Sequence, residues 1–372
     1  MNQTIVSYLA QYEFFDSILA VFGKNTSLLA FLIYLIVAVL IVGLCATIGG
    51  LGTYAERKIS ADIQARMGPN RVGPYGILQF LADGVKMMTK EDVMPFTADK
   101  FLFYLAPVLA LVGVFATLAV LPFSTGFAMT DLNVGIFYLI AISSLVGLGV
   151  FLGGYASNSK WSMLGGMRGA SQIISYEIPV TISILAITLL AGGMSFGTIV
   201  GHQRGLPTNW FIFHNPFSFI AFFVYFIGAL AETNRAPFDL PEAESELVSG
   251  YHTEYTGMRF GFFALAEYIE VFVVCGVGAA LFLGGSNLPF EIGFDIIPLQ
   301  FVEFTIFMVK ALLLYYVVIW VRWTLPRLRV DQLMAICWKY LTPIAIFNLV
   351  GCAVWVFLFN GRSMAALLFG GH

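Results

Sequence analysis

Six ionisable side chains, Glu177, Glu232, Glu267, Glu270, Glu303 and Lys310, fall inside stretches of chain that are otherwise almost wholly apolar. A denser group overlaps them. In residues 231–255, AETNRAPFDLPEAESELVSGYHTEY, the acids Glu232, Asp239, Glu242, Glu244, Glu246 and Glu254 accompany one base, Arg235. Carboxylates with water between them can take up protons and hand them on, and this is the chemistry the pattern offers. A charge at the centre of a bilayer costs about 2.5–3.5 kcal/mol on insertion scales. Six facing lipid would cost on the order of 15 kcal/mol, comparable with the stability of a whole domain. They must face one another, water or a partner protein, or lose their charge. Spacing supports a shared interior: Glu267 and Glu270 are three apart, about 60° around one helix. Glu303 and Lys310 are seven apart, again on one face. Pro179 follows Glu177, removes a backbone donor and is expected to kink the helix beside that acid. Any one of these residues can be a structural group bonded to a neighbouring helix; the set, joined to an acidic loop, reads as a proton path.

The elements that hold them are membrane helices. The chain of 372 residues is 59% hydrophobic and 11% charged, with a mean hydropathy of +0.86, whereas soluble domains are roughly one-quarter charged. Seven stretches, near 28–52, 101–121, 134–155, 172–194, 260–284, 303–323 and 341–359, are long and apolar enough to cross about 30 Å of hydrocarbon as helix. A shorter eighth, 217–232, follows Pro216. The runs are continuous rather than alternating, which excludes a barrel and predicts an all-α polytopic membrane protein of about eight transmembrane helices, a single integral membrane domain over 1–372.

Eight spans place fifteen of the 19 Lys and Arg on one side, from Arg57 to Lys339, and leave Lys24, Arg204 and Arg362 on the other, with Lys310 inside a span. By the positive-inside rule the fifteen are cytoplasmic and both termini lie outside. The expected cytoplasmic loops are 53–100, 156–170, 233–258 and 324–342. The first carries a Gly/Pro turn followed by an amphipathic interfacial helix with Ile77, Phe80, Leu81, Val85 and Met88 at helical spacing, opposite Asp83 and Lys90. The last carries RLRVDQL, a basic turn leading into the final span. Residues 1–27 lack a secretory signal pattern and read as an interfacial segment.

Redox centres and nucleotide engines find no ligands here. Cys45, Cys275, Cys337 and Cys352 are isolated, with no CxxC pair for an iron–sulfur cluster. His202, His214, His252 and His372 lie in loops or at the terminus, so no two spans offer facing haem ligands. No GxxxxGK[ST] phosphate loop occurs, and no internal repeat of the kind common in secondary transporters is evident.

Four segments, AERKISADIQARMGPNRVGPYGILQFLADGVKMMTKE (55–91), SYEIP (175–179), LAETNRAPFDLPEAESELVSGYHTEY (230–255) and LPRLRVDQLM (325–334), resemble those of the quinone-channel membrane subunit of respiratory complex I. This is the H subunit of the bacterial NADH-quinone oxidoreductase and NADH dehydrogenase subunit 1 of mitochondria. The resemblance runs from about residue 30 to 360. It implies a membrane subunit of a proton-pumping NADH:quinone oxidoreductase, a respiratory-chain translocase in the bacterial cytoplasmic (inner) membrane. Such a subunit anchors the hydrophilic arm, forms the access tunnel for a quinone such as ubiquinone, and is not catalytic alone. It binds no cofactor of its own; FMN and iron–sulfur clusters belong to partner subunits. The partners implied are the hydrophilic quinone-site subunits, small membrane subunits, antiporter-like subunits and lipid, with no nucleic acid. Carried across, Glu56, Arg57, Arg66, Arg235, Phe238 and Asp239 line the quinone tunnel, the last three in a flexible loop. Glu177, Glu232, Glu242, Glu244, Glu246, Glu254, Glu267 and Glu270 supply the acidic proton path, and Glu303 and Lys310 are weaker transfers. Two other classes compete: the equivalent subunit of a membrane-bound hydrogenase or photosynthetic quinone oxidoreductase, and a stand-alone ion-coupled transporter.

Overall fold

The computed structural model describes residues 26–124, 130–242, 244–288, 299–359 and 363–364, and within them all regular structure is helical. Most of the N-terminal segment expected at the interface (1–25), with Lys24 and Arg362, lies outside the described residues. The chain divides into two compact units, Met1–Ile48 and Gly49–His372. Of the first, residues 26–48 form the front of helix α1 (Thr26–Ile63), which continues into the second. The second unit holds α2 (Gln79–Thr89), α3 (Lys100–Leu118), α4 (Gly135–Ala156), α5 (Lys160–Ala191), α6 (Phe196–His202), α7 (Pro216–Glu232), α8 (Gly257–Phe282) and α9 (Leu299–Thr324). The chain ends in α10 (Val330–Ala335), a π-helical turn over Ile336–Leu341, and α11 (Thr342–Phe359).

Among the described residues, six helices are long and apolar enough to cross a membrane: α3, α4, α5, α8, α9 and the continuous run Val330–Phe359. Helix α7 is apolar but only 17 residues long. It starts sharply because Pro216 occupies the first turn and Asn215 and Ser218 close a reciprocal cap, each side chain bonding the other's backbone N–H. Asp99 caps α3 by accepting from the N–H groups of Phe101 and Leu102, and Gly192 ends α5 in the left-handed region at φ +68°.

Hydropathy marks only the apolar part of a helix, so several helices run past the expected spans. Residues 160–170, expected as loop, open α5, and the segment from Val330, expected as a basic turn, is already helical. Helix α5 continues unbroken through Pro179. Residues 53–63, expected as loop, extend α1; beyond them the 53–100 segment has the expected form: a tight turn over Pro74–Gly76, tied to α1 by the Tyr54 hydroxyl donating to the Tyr75 carbonyl at 3.0 Å, then α2. Phe80 packs against Gly50 of α1, while Leu81, Val85 and Met88 are exposed, which fits a helix lying along an interface.

Helices α5 and α8 are the centre of the bundle. Each buries 56% of its most apolar stretch, against 33% for α9 and 28% for Val330–Phe359, which turn their apolar faces outward. Helix α5 packs on α4, α7 and α11, and α8 on α3 and α9. At the α4–α5 crossing the backbones nearly touch: a methyl group built on Gly154 would lie 2.6 Å from the Ser162 carbonyl oxygen.

Candidate functional site

Three membrane-depth acids converge. Glu177 of α5, Glu232 at the end of α7 and Glu270 of α8 line one cavity of about 30 Å³, together with Thr117, Ser143 and Tyr225. Space of that kind needs roughly 10–15 Å³ per water molecule, so there is room for about two. The Ser143 hydroxyl of α4 donates to the Ile140 carbonyl at 3.1 Å, and the Tyr225 hydroxyl donates to the Val274 carbonyl at 2.8 Å, pinning α7 to α8. Glu270 is buried, and its Oε2 has no hydrogen-bond partner among the described residues.

The acids also form a series. Glu232 is within electrostatic reach of Glu177, Glu270 of Glu232 and Glu267, and Glu267 of Glu242. Helical geometry explains the turn in this line. Glu267 and Glu270 share one side of α8, so one faces the cavity and the other faces the 231–255 segment. There Glu267 Oε1 accepts the hydroxyl of Tyr251 at 2.8 Å. Burial beside the carboxylates pushes the Tyr251 hydroxyl well above the ordinary phenol range, so it stays protonated and remains a donor.

A second cluster lies where α1, α9 and the 231–255 segment meet. Glu56 is buried and receives two arginines: Arg235 at 3.3 Å and Arg322 from the last turn of α9. Arg235 stacks over the Tyr268 ring with its guanidinium carbon 4.2 Å from the centroid. Its Nε and Nη2 are buried without hydrogen-bond partners among the described residues. Arg235 also acts electrostatically on Glu267 and Glu270, so it links this cluster to the acid series.

The segment between α7 and α8 is anchored at several points. Arg327 pairs with Asp239 at 2.8 Å, Arg168 with Glu246 at 2.6 Å, and the Leu328 N–H donates to the Pro237 carbonyl at 3.0 Å. Gln172 of α5 donates to the Ala231 carbonyl at 2.7 Å and to Asn234 at 3.2 Å, holding the end of α7. Phe238 is buried with its ring 5.4 Å from that of Tyr176. His252 Nδ1 lies 3.8 Å from Glu242. The Arg168 hydrogen bond and charge hold the exposed Glu246 carboxyl below the usual range. Glu244 opens the one-turn helix Glu244–Leu247, and Glu254 is half-buried in the turn before α8.

The other expected site residues lie apart from both clusters. Arg57, one position on from Glu56 and so about 100° around α1, points outward to pair with Asp83 of α2. Arg66 is exposed and bonds Gln64. Glu303 accepts from Ser124 at 2.9 Å. Lys310 donates to the carbonyls of Gly285 and Asn287 at 2.9 and 3.1 Å, closing off the end of α8, with Trp210 at 4.3 Å. Neither Glu303 nor Lys310 lines the acid cavity. Sequence reasoning missed Arg322, Tyr268, Tyr251 and Gln172. Arg322 carried a usable signal, a charge closing a long apolar run; the other three look ordinary until the chain folds.

Comparison with known proteins adds an independent line. The model of the NADH dehydrogenase family matches residues 33–353. The chain is 43% identical over 350 residues to a protein of Anaeromyxobacter dehalogenans named as the H subunit of NADH-quinone oxidoreductase, covering 90% of this chain and 85% of that protein. Proteins of the same name from Chlorobaculum tepidum and Brevibacillus brevis are each 48% identical. Those alignments cover 82% of this chain and 87% of the relative, and 88% and 94%, respectively.

Proposed function

Because the chain belongs to the NADH dehydrogenase family, we propose that it is the membrane subunit of a proton-pumping NADH:quinone oxidoreductase that carries the quinone-access tunnel and the first acidic part of the proton path. The observation that carries the reading is the line Glu242–Glu267–Glu270–Glu232–Glu177, ending on a cavity with room for water and joined through Arg235 to the Glu56 cluster. Reducing a quinone takes two electrons and two protons. Electrons arrive from iron–sulfur centres held by partner subunits; this chain supplies apolar walls and side chains that respond to the charge. Arg235, with two unshared donors beside Glu56 and Tyr268, is the group poised to sense a polar headgroup or the charge left by its reduction. A change there alters the field on Glu267 and Glu270, and carboxylates that interact this closely exchange protons as a coupled set.

In this reading α1 and α7 complete eight spans with both termini outside the cytoplasm, in the bacterial inner membrane. The Glu56 cluster, α2 and the 231–255 segment then lie at the cytoplasmic end, where hydrophilic partner subunits dock. Antiporter-like subunits continue the path beyond Glu177. The 43–48% identity to relatives named for NADH-quinone oxidoreductase favours this branch over a hydrogenase component. The test is Glu177→Gln and Glu267→Gln in the assembled complex. Both variants should assemble yet lose most NADH-driven quinone reduction; wild-type turnover and proton yield in both would remove the proposed role.

A further inference from the structure

We propose that Tyr176 and Cys337 form a hydrogen-bonded latch between α5 and the continuous segment of α10 and the π-turn, Val330–Leu341, and that this latch is a positioning device for Glu177. Its bearing on proton transfer rests on the function proposed above; its existence as a latch does not.

The need for it arises in the sequence SYEIP. Pro179 has no N–H, so the carbonyl four residues earlier, that of Ser175, loses its helical partner. Ser175 is buried, and a buried acceptor without a donor is unfavourable. The missing donor comes from another element: the thiol of Cys337, itself wholly buried, donates to the Ser175 carbonyl at 2.7 Å. The neighbouring residue answers in the opposite direction, the Tyr176 hydroxyl donating to the Leu333 carbonyl at 3.1 Å. Ser175 Oγ adds a contact to Met334 Sδ at 3.3 Å.

The π-turn is what presents the thiol. It accommodates one residue more than a regular turn and so re-aims the side chains it carries. The Cys337 carbonyl in turn accepts both the N–H and the hydroxyl of Thr342, which fixes the turn from its far side. Two irregularities in two helices, a proline in one and a π-turn in the other, thus satisfy each other.

Glu177 follows Tyr176 directly, about 100° further around α5, which aims it into the acid cavity while Tyr176 points to Leu333 of α10. Holding residues 175 and 176 fixes the rotation of α5 at this level and hence the direction of the carboxylate. Tyr176 also packs on Phe238 of the 231–255 segment, so that segment touches the latch on its other side.

A double-mutant cycle in the assembled, purified complex tests the proposal: Cys337→Ala, Cys337→Ser, Pro179→Ala, Pro179→Ala with Cys337→Ala, and Glu177→Gln as reference. Thermal midpoint, quinone-reductase turnover and its pH profile are read for each. Cys337→Ala should lower turnover about fivefold, the weight of one hydrogen bond, and shift the pH profile, whereas Cys337→Ser keeps a donor and should restore both. In the Pro179→Ala background the new N–H serves Ser175, so Cys337→Ala should add little to the loss of thermal stability. If Cys337→Ala is equally damaging with Pro or Ala at 179, or if serine rescues neither readout, the latch is overturned. If the thermal cycle shows coupling while Glu177→Gln keeps wild-type turnover, the latch stands and the proton path through Glu177 falls.

Discussion

Arg235 and Glu56 form a buried ion pair at 3.3 Å although 179 positions separate them in the chain. Glu56 also receives Arg322, so one carboxylate balances two guanidinium groups. Removing the shared partner of such a cluster leaves uncompensated buried charge, which costs about 3–5 kcal/mol. Glu56→Ala should therefore lower the thermal midpoint and yield of the assembled complex sharply. Arg57→Ala, one residue on, breaks only an exposed pair with Asp83 and should change stability by less than about 1 kcal/mol. Comparing the two by thermal unfolding checks the assignment; equal losses would contradict it.

Tyr251→Phe keeps the buried ring against Phe263 and deletes the donor to Glu267. A bond of this kind is worth roughly 1–2 kcal/mol, so turnover per assembled complex is expected to fall by about tenfold. The hydroxyl is held well above its ordinary value, so no limb of the wild-type pH–rate profile below about pH 10, the ordinary Tyr value, belongs to it. An identical rate in the phenylalanine variant would show that Glu267 does not depend on this donor.

Gly250→Ala should be among the most damaging single changes in the acidic segment. Gly250 has φ +60°, and a methyl group there would sit 1.7 Å from the Pro241 carbonyl oxygen. Both the backbone conformation and the space forbid a side chain. The variant is expected to displace 241–252 and with it Tyr251, seen as loss of quinone reduction and faster proteolysis of that segment. Gly201→Ala, with open space around it, serves as the tolerant control.

Acid should loosen the same segment. The Glu246 carboxyl is held below its ordinary range by Arg168 in the folded protein. A depressed folded-state pKa means the pair contributes fully above the unfolded value and is lost as pH falls through the folded one. Glu246 is exposed, so the effect on global stability is small. Limited proteolysis within 242–250 should accelerate below about pH 4.3, the ordinary Glu value, and Glu246→Gln should already show the faster rate at neutral pH with little further change on acidification.

Much of this arrangement was legible in the sequence, and the reasons are physical. Charges in apolar runs are so costly that Glu177, Glu232, Glu267 and Glu270 had to share an interior, and periodicity put two of them on one side of α8. The same reasoning gathered Glu303 and Lys310 with them. Yet each of these is served locally, by Ser124 and by the carbonyls that close α8, because burial demands a partner without saying which one. Tyr268 and Tyr251 were invisible because their roles depend on what Arg235 and Glu267 meet across the fold. The bond from Cys337 to Ser175 was half legible: Pro179 announces a lost donor, but only tertiary structure says what replaces it. Helix ends such as Lys160 and Val330 were missed because hydropathy reports the membrane-facing length of a helix, not its full length.

The central claim is that Glu232 and Glu270 change protonation when quinone is reduced at the other end of the acid series. Infrared difference spectra of the assembled complex, oxidised minus reduced quinone pool, read protonated carboxyl groups directly. Expected is a carboxyl C=O signal in the wild type that is lost in Glu232→Gln and in Glu270→Gln, and retained in Glu303→Gln, which lies outside the cavity. A wild-type carboxyl signal in both of the first two variants would mean that these acids do not take part.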